Sequence, residues 1–216
     1  HEKVTIALNT TVAHIVRGSH GVERVDIESG GERRSIRVNK GLVLASGGFN
    51  RHPGLRAQML PGVPGEWSPA APGHTGQAHD LARHLGAVYG QGGLSHAFWA
   101  PVSLRPRADG STAVFPHFVM DRAKPGMITV NAKGERFLNE STSYHLFGLA
   151  MQQAHQSTPS IPAYLVCDAE ALRKYGIGMV RPGGKGLGPF LADGYLTAGA
   201  TLAELAGKLG MDPQAL

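Results

Sequence analysis

The run Asn131-Ala132-Lys133-Gly134-Glu135-Arg136-Phe137-Leu138-Asn139-Glu140, followed by Ser141-Thr142-Ser143-Tyr144, holds the side chains of this chain best suited to chemistry. A phenol on a rigid support can take or give a proton at a defined point. A phenol on a loose loop cannot hold that geometry. The pattern predicts a tight turn at Ala132-Lys133-Gly134 joining a strand at Met127–Val130 to one at Arg136–Leu138. It predicts a helix over 140–153, with Tyr144 in the first turn and Tyr144, Phe147 and Met151 on one face. Arg136 and Glu140 are placed to pair at the base of the hairpin. The plain alternative is that this pairing only fixes the hairpin and that Tyr144 packs in the core.

Two other segments could hold a ligand. Leu42-Val43-Leu44-Ala45 is a continuous apolar run, the pattern of a strand buried on both faces, and it ends in Ser46-Gly47-Gly48-Phe49. Glycines there let a ligand or another backbone approach closely, or simply make a strand-end turn. Gly73-His74-Thr75-Gly76-Gln77 precedes a helical pattern over 78–85. Its amides and helix dipole suit an anion, or Thr75 merely caps the helix.

Other patterns point away from function. Gly183-Gly184-Lys185-Gly186-Leu187-Gly188 has the wrong spacing for a nucleotide loop, no strand before it and no helical pattern after it. The histidines lack metal-type spacing, so no metal is expected. The chain's single cysteine, Cys167, sits in an apolar strand pattern without a neighbouring cation to activate it. One cysteine forms no internal disulfide, and a reducing compartment, the cytoplasm, is expected.

The elements that must position these groups can be read along the 216 residues. Hydrophobic residues make up 42%, with 30 glycines and 14 prolines, a globular and turn-rich balance. Net charge is +5, but Arg33, Arg34 and Arg37 lie far from Arg105 and Arg107. No basic cluster carries stacking aromatics, so nucleic acid is not an expected partner. No apolar run reaches membrane-spanning length.

Residues 4–45 read as strands at Val4–Leu8, Val12–Val16, Val22–Glu28, Ser35–Val38 and Gly41–Ala45, with turns at Gly18–Gly21 and Gly30-Gly31. A short helix is expected over 52–60, then a Pro/Gly-rich hinge over 61–73. Turns follow at Gly92-Gly93 and Asp109-Gly110. A strand is expected over 163–167, and Asp168 caps a helix ending at Gly176. Thr201-Leu202-Ala203-Glu204 is a capping box opening a helix that stops at Gly210. Strands and helices without strict alternation favour an α+β fold. His1-Glu2-Lys3 leads straight into a strand pattern without a starting Met, so the chain is expected to be part of something longer.

Leu44–Phe49, Thr75–Ala78 and Val130–Glu140, taken in this order, resemble the flavoprotein family of fumarate reductases and 3-ketosteroid dehydrogenases. Asn139-Glu140-Ser141-Thr142-Ser143-Tyr144 is similar to the ketosteroid dehydrogenase branch, where the fumarate reductase branch carries arginine at the last position. The resemblance implies FAD as cofactor, an apolar cyclic ketone as substrate and Tyr144 as the base. A free tyrosine titrates near pH 10, so work near neutrality needs help of about 4 kcal/mol. In the family a partner tyrosine and the oxidised flavin are expected to supply it.

The resemblance places Ala45, Ser46, Gly47, Gly48, Thr75 and Gly76 against the flavin and Phe118 and Met120 against the substrate. Arg136, Asn139 and Glu140 would support Tyr144. Residues 1–60 would be the edge of the flavin domain, a β-meander plus a buried strand, and residues 61–216 an α+β substrate or cap domain. Gln77 and Ala78 depart from the family's acid and glycine. No Gly-x-Gly-x-x-Gly follows a strand. The remainder of its own chain is therefore an expected partner, and these residues alone are expected to be inactive. The remaining alternatives are a fumarate-reductase-like flavoprotein with another substrate, or an isolated cap domain.

Overall fold

The computed structural model describes residues 3–90, 93 and 95–216. The expected lead-in at His1-Glu2 and the turn at Gly92-Gly93 involve residues outside this set. The chain forms two units, His1–Gly65 with Ala70–Leu94, and Glu66–Pro69 with Ser95–Leu216. Both mix helices with small antiparallel sheets, an α+β fold.

The first unit holds a meander of β1 (Thr10–Gly18), β2 (Gly21–Ser29) and β3 (Glu32–Arg37), in that order and antiparallel. Gly30 and Gly31 at the β2–β3 tip both have positive φ, 59° and 81°. Such a turn matches the twist of the paired strands and is open to glycine. Ile15 pairs with Val25 and Val12 with Ile27. Ile15, Val25 and Ile27 are buried, so one face of the meander meets the core. The edge strand β3 is exposed throughout and rich in arginine, which discourages pairing with another chain.

Two expected strands do not form. Val4–Leu8 lies outside any sheet, with Val4, Ile6 and Leu8 exposed. Gly41–Ala45 likewise has no ladder partner, and Val43 is 87% exposed. An apolar run becomes a buried strand only where neighbouring strands take up its backbone groups. None of the described strands lies beside these runs.

Next comes α1 (Pro53–Met59), whose first turn is opened by His52: the Leu55 amide donates to His52 Nδ1 at 3.1 Å. Leu55 and Leu60 are buried. The following helix, α2, spans Gln77–His84 rather than 78–85, and Thr75 does not cap it. The capping position is Gly76, in the left-handed conformation at φ 78°, with no side-chain cap. That glycine turns the chain into the helix and leaves Thr75 a residue too early.

In the second unit β4 (Val102–Pro106) pairs with β5 (Thr112–Pro116) about the expected Asp109-Gly110 turn. The short α3 (Val119–Arg122) follows. Then β6 (Met127–Val130) pairs antiparallel with β7 (Tyr164–Cys167) from across the long helix α4 (Tyr144–His155). After β7 come α5 (Ala169–Tyr175), α6 (Gly188–Ala192) and α7 (Leu202–Leu209). So a one-turn helix does follow the glycine-rich loop, although no strand precedes that loop.

Arg136–Leu138 is not a strand. It makes only the bridge from Val130 to Arg136. The Thr129 amide, which a longer hairpin would engage, is taken by the Glu140 carboxylate at 2.7 Å. The core of the second unit gathers Val130, Ala206 and Met211, with Tyr164, Val166, Leu209 and Leu216 packed on it. No helix among the described residues is long and apolar enough to cross a membrane.

The caps expected on α5 and α7 are in place. Asp168 accepts from the Ala171 amide at 2.7 Å, and Thr201 accepts from that of Glu204 at 3.1 Å. Losing such a cap typically removes about 1 kcal/mol. Asp168→Ala should lower stability by about that amount with unchanged denaturant slope in urea unfolding. A midpoint equal to the parent's would show that α5 does not need this cap.

Candidate functional site

Helix α4 begins at Tyr144, not at Glu140, because Ser143 is its cap: the Leu146 amide donates to Ser143 Oγ at 3.3 Å. Tyr144 therefore does lie in the first helical turn. Its ring sits between two others, edge-on to Phe98 at 5.4 Å and to Phe118 at 5.2 Å. Phe98 also stacks on His145 at 4.7 Å. His145 is nearly buried, and the Trp99 amide donates to its Nδ1 at 3.1 Å. Phe98, Phe118, Met120 and Leu146 leave an exposed apolar surface in this part of the unit.

What holds the start of α4 is a network of charge and backbone. Asn131, buried, pins the turn: its Oδ1 accepts from the amides of Lys133 at 2.9 Å and Glu135 at 3.1 Å. Gly134 closes the turn at φ 85°. The Arg136 guanidinium grips Glu140 through Nε, at 3.1 and 3.2 Å from the two carboxylate oxygens, as the sequence predicted. Asn139 Oδ1 accepts from the Ser141 amide at 2.9 Å, shaping the step from turn to helix.

The sequence reading missed Arg122. It is 1% exposed, and its Nη1 donates to the Glu140 carbonyl and its Nη2 to the Thr142 carbonyl. Its guanidinium also lies over the Phe147 ring at 4.4 Å. So one arginine ties α3 to both backbone oxygens just ahead of the cap. Nothing in its spacing marks it, since Arg122 and Thr142 meet only through folding. Phe98 and His145 were missed for the same reason.

Burial pushes the Glu140 carboxyl up, but the hydrogen bonds from Arg136 and from the Thr129 amide outweigh it and hold the carboxyl below its ordinary range. The same bond holds the Arg136 guanidinium above its usual value. Burial lowers Arg122, opposed by the nearby charges of Asp121 and Glu140. Burial, and then the charge of Asp168, push the Cys167 thiol up, which disfavours its thiolate form.

In the first unit the two glycine motifs meet. The Gly76 amide donates to the Gly48 carbonyl at 3.2 Å, and the Arg51 amide to that of His74 at 2.8 Å. Phe49 packs edge-on against His79 of α2. Gly47 has φ 87°, and a Cβ there would come within 2.6 Å of the His74 ring. Bare backbone is thus required where the motifs touch. The first turn of α2 has amides without helical partners and a positive dipole end. Gln77, which replaces the expected acid, turns its amide toward β1 and donates to the Val12 carbonyl at 3.4 Å. Ala45 and Ser46 lie in the exposed stretch before Gly47. Among the described residues, no group of three or more His, Cys, Asp or Glu side chains gathers in a way that would hold a metal ion.

The family description "FAD binding domain" matches residues 1–216. The chain belongs to the FAD-binding domain family. Its cofactor is FAD. It is 32% identical over 211 residues to 4-oxocyclohex-2-ene-1-carboxylate 5-dehydrogenase of Sinomonas cyclohexanicum, covering 96% of this chain and 35% of that protein. It is 34% identical over 205 residues to 3-oxosteroid 1-dehydrogenase of Mycobacterium tuberculosis, covering 91% of this chain and 33% of that protein. Among solved structures it resembles 3-ketosteroid delta1-dehydrogenase from Sterolibacterium denitrificans, solved with 1,4-androstadiene-3,17-dione. That match has a TM-score of 0.76 and 28% identity, over 99% of this chain and 38% of the other. The chain spans about a third of the length of the curated relatives it matches.

Glu140 gives the site a pH signature. A carboxylate depressed in the folded state adds stability above its unfolded pKa, near 4.5, and loses it as pH falls toward the folded value. The stability gap between parent and Glu140→Gln should therefore be wide at about pH 7 and narrow at about pH 3.5 in urea unfolding. A gap of equal size at both would show that the charge on Glu140 does not hold this node.

Proposed function

We propose that the polypeptide carrying this chain is an FAD-dependent dehydrogenase that introduces a carbon–carbon double bond beside a ring ketone. The observation that carries this reading is Tyr144, fixed at the first residue of α4 between two aromatic rings. The names of the relatives support it, since the curated matches act on an oxocyclohexene carboxylate and an oxosteroid. Both are ketones on a carbocycle.

The division of labour follows from the chemistry. A carbon next to a carbonyl is acidic enough for a well-placed base to take its proton. Tyr144 is the base. Phe98 and Phe118, with Met120 beyond them on α3, form an apolar face for a flat ring system. Arg136, Asn139 and Glu140 hold the support of the phenol, and Arg122 clamps the backbone in front of the helix cap. Bound FAD supplies the acceptor for the hydride that leaves the adjacent carbon.

We assign the flavin contact in this chain to Ala45, Ser46, Gly47, Gly48, Thr75 and Gly76. The bare backbone at Gly47, the Gly48–Gly76 hydrogen bond and the amino end of α2 fit a planar, anionic cofactor. The chain matches a third of each relative, so turnover is assigned to the whole polypeptide. Tyrosine at position 144, rather than the arginine of the fumarate-reducing branch, favours ketone desaturation over the reduction of short dicarboxylates.

Tyr144→Phe in the whole polypeptide should lower desaturation of a cyclic ketone by about 10²- to 10⁴-fold, the usual contribution of a positioned base. The flavin absorbance band should survive desalting in the variant as in the parent. Normal turnover in Tyr144→Phe would remove the tyrosine from the role of base. Loss of the flavin band in the variant would show instead that Tyr144 serves the cofactor.

A further inference from the structure

Phe98 is 74% exposed, yet its ring has a defined place, stacked on His145 at 4.7 Å and edge-on to Tyr144 at 5.4 Å. Core packing does not hold so exposed a side chain. What fixes it is the next residue, Trp99, which meets α4 at two points about one helical turn apart.

The first point is His145. The Trp99 amide donates to its Nδ1 at 3.1 Å. That nitrogen must be unprotonated to accept, so the imidazole is neutral and carries its proton on Nε2. The second point is Gly148. A Cβ there would lie 2.7 Å from the Trp99 Cβ, closer than two carbons pack. Residues three apart share a face of a helix, so His145 and Gly148 form one seat.

Glycine is a poor choice inside a helix, and Gly148 is buried within α4. It is not among the positive-φ glycines, so its conformation does not call for glycine either. The approach of Trp99 does. From its own side Trp99 is braced by Ser95, whose Oγ accepts from the indole Nε1–H at 2.8 Å. The stretch 95–99 is thus curled on itself and anchored on α4, one residue beyond Tyr144.

We propose that His145 and Gly148 are positioning residues: together they seat Trp99 and so hold Phe98 beside Tyr144, where it grips the ring of the substrate. This rests on the ketone-desaturating reading given above. Tyr144 still takes the proton, so the seat governs substrate binding rather than the chemical step. His145 and Gly148 act through Phe98.

The whole polypeptide loaded with FAD supplies the test. Phe98→Ala should raise KM for a cyclic ketone about three- to tenfold, the scale of one aromatic contact, with kcat within about twofold of the parent's. His145→Phe keeps a ring for Phe98 but removes the acceptor, and should raise KM as much. His145→Asn brings a carbonyl oxygen close to the place of Nδ1 and should recover most of the loss. Gly148→Ala, although the better helix former, should raise KM too. On a Phe98→Ala background His145→Phe should add nothing, because the seat works through that ring. Hydrogen exchange at the Trp99 amide should be faster in His145→Phe and close to the parent's in His145→Asn. A parental KM in His145→Phe, an effect that adds in full to that of Phe98→Ala, or unchanged exchange at Trp99 would overturn the inference. So would a fall in kcat with KM unchanged. The two His145 variants decide the matter even where Gly148→Ala fails to fold. A parent that turns over no cyclic ketone would sink the reading of the reaction and the binding role with it, a result distinct from normal variants of an active parent.

Discussion

A buried carboxylate cannot stand alone in a protein interior, and the arrangement around Tyr144 follows from that constraint. Glu140 is 5% exposed. It is kept charged by Arg136 on one side and by the Thr129 amide on the other. Those two partners lie before it in sequence, one in the turn and one on β6. Satisfying both draws the chain back on itself, ends the hairpin after a single bridge and leaves Ser143 free to cap α4. Arg122 completes the node by taking the backbone oxygens on either side of Ser141. The phenol then emerges from a helix end whose position is determined by four separate segments.

The glycine motifs of the first unit work by different means. They meet through backbone hydrogen bonds and through the lack of side chains where His74 approaches Gly47. Flavin-binding proteins need such surfaces, because a planar cofactor with a diphosphate is held as much by amides as by side chains. Gln77 shows how far the pattern tolerates change: with the family's acid gone, the side chain braces α2 against β1.

The relation between the two kinds of site is one of rigidity. Proton transfer, the role proposed for Tyr144, demands a fixed donor and acceptor, and the ion pair and cap ahead of α4 supply a fixed support. Phe98, Phe118 and Met120, the apolar face proposed for the substrate, are by contrast exposed. Asp121, bonded to His117 and accepting from the Gly178 amide, and Arg122 beside it hold the carboxyl end of α3, the short helix that follows Phe118 and carries Met120.

The sequence by itself determined the local pieces. The meander with its Gly30-Gly31 tip, the caps at Asp168 and Thr201, the Arg136–Glu140 pair and Tyr144 in a first helical turn all follow from neighbours within a few residues. Hydrogen bonding and backbone preference over so short a span depend little on the rest of the fold. The family was legible for the same reason, since its motifs are runs of adjacent residues. Tertiary structure decided the rest. Whether Val4–Leu8 and Gly41–Ala45 become strands depends on partners that pattern alone does not reveal. The start of α4 was misplaced by four residues because Glu140, read as a helix former, is committed to a bond with Thr129. Arg122, Phe98, His145 and the Ser103–Tyr195 contact join residues that only folding brings within reach. Their energy comes from burial and closure over long chain distances, which no local spacing records.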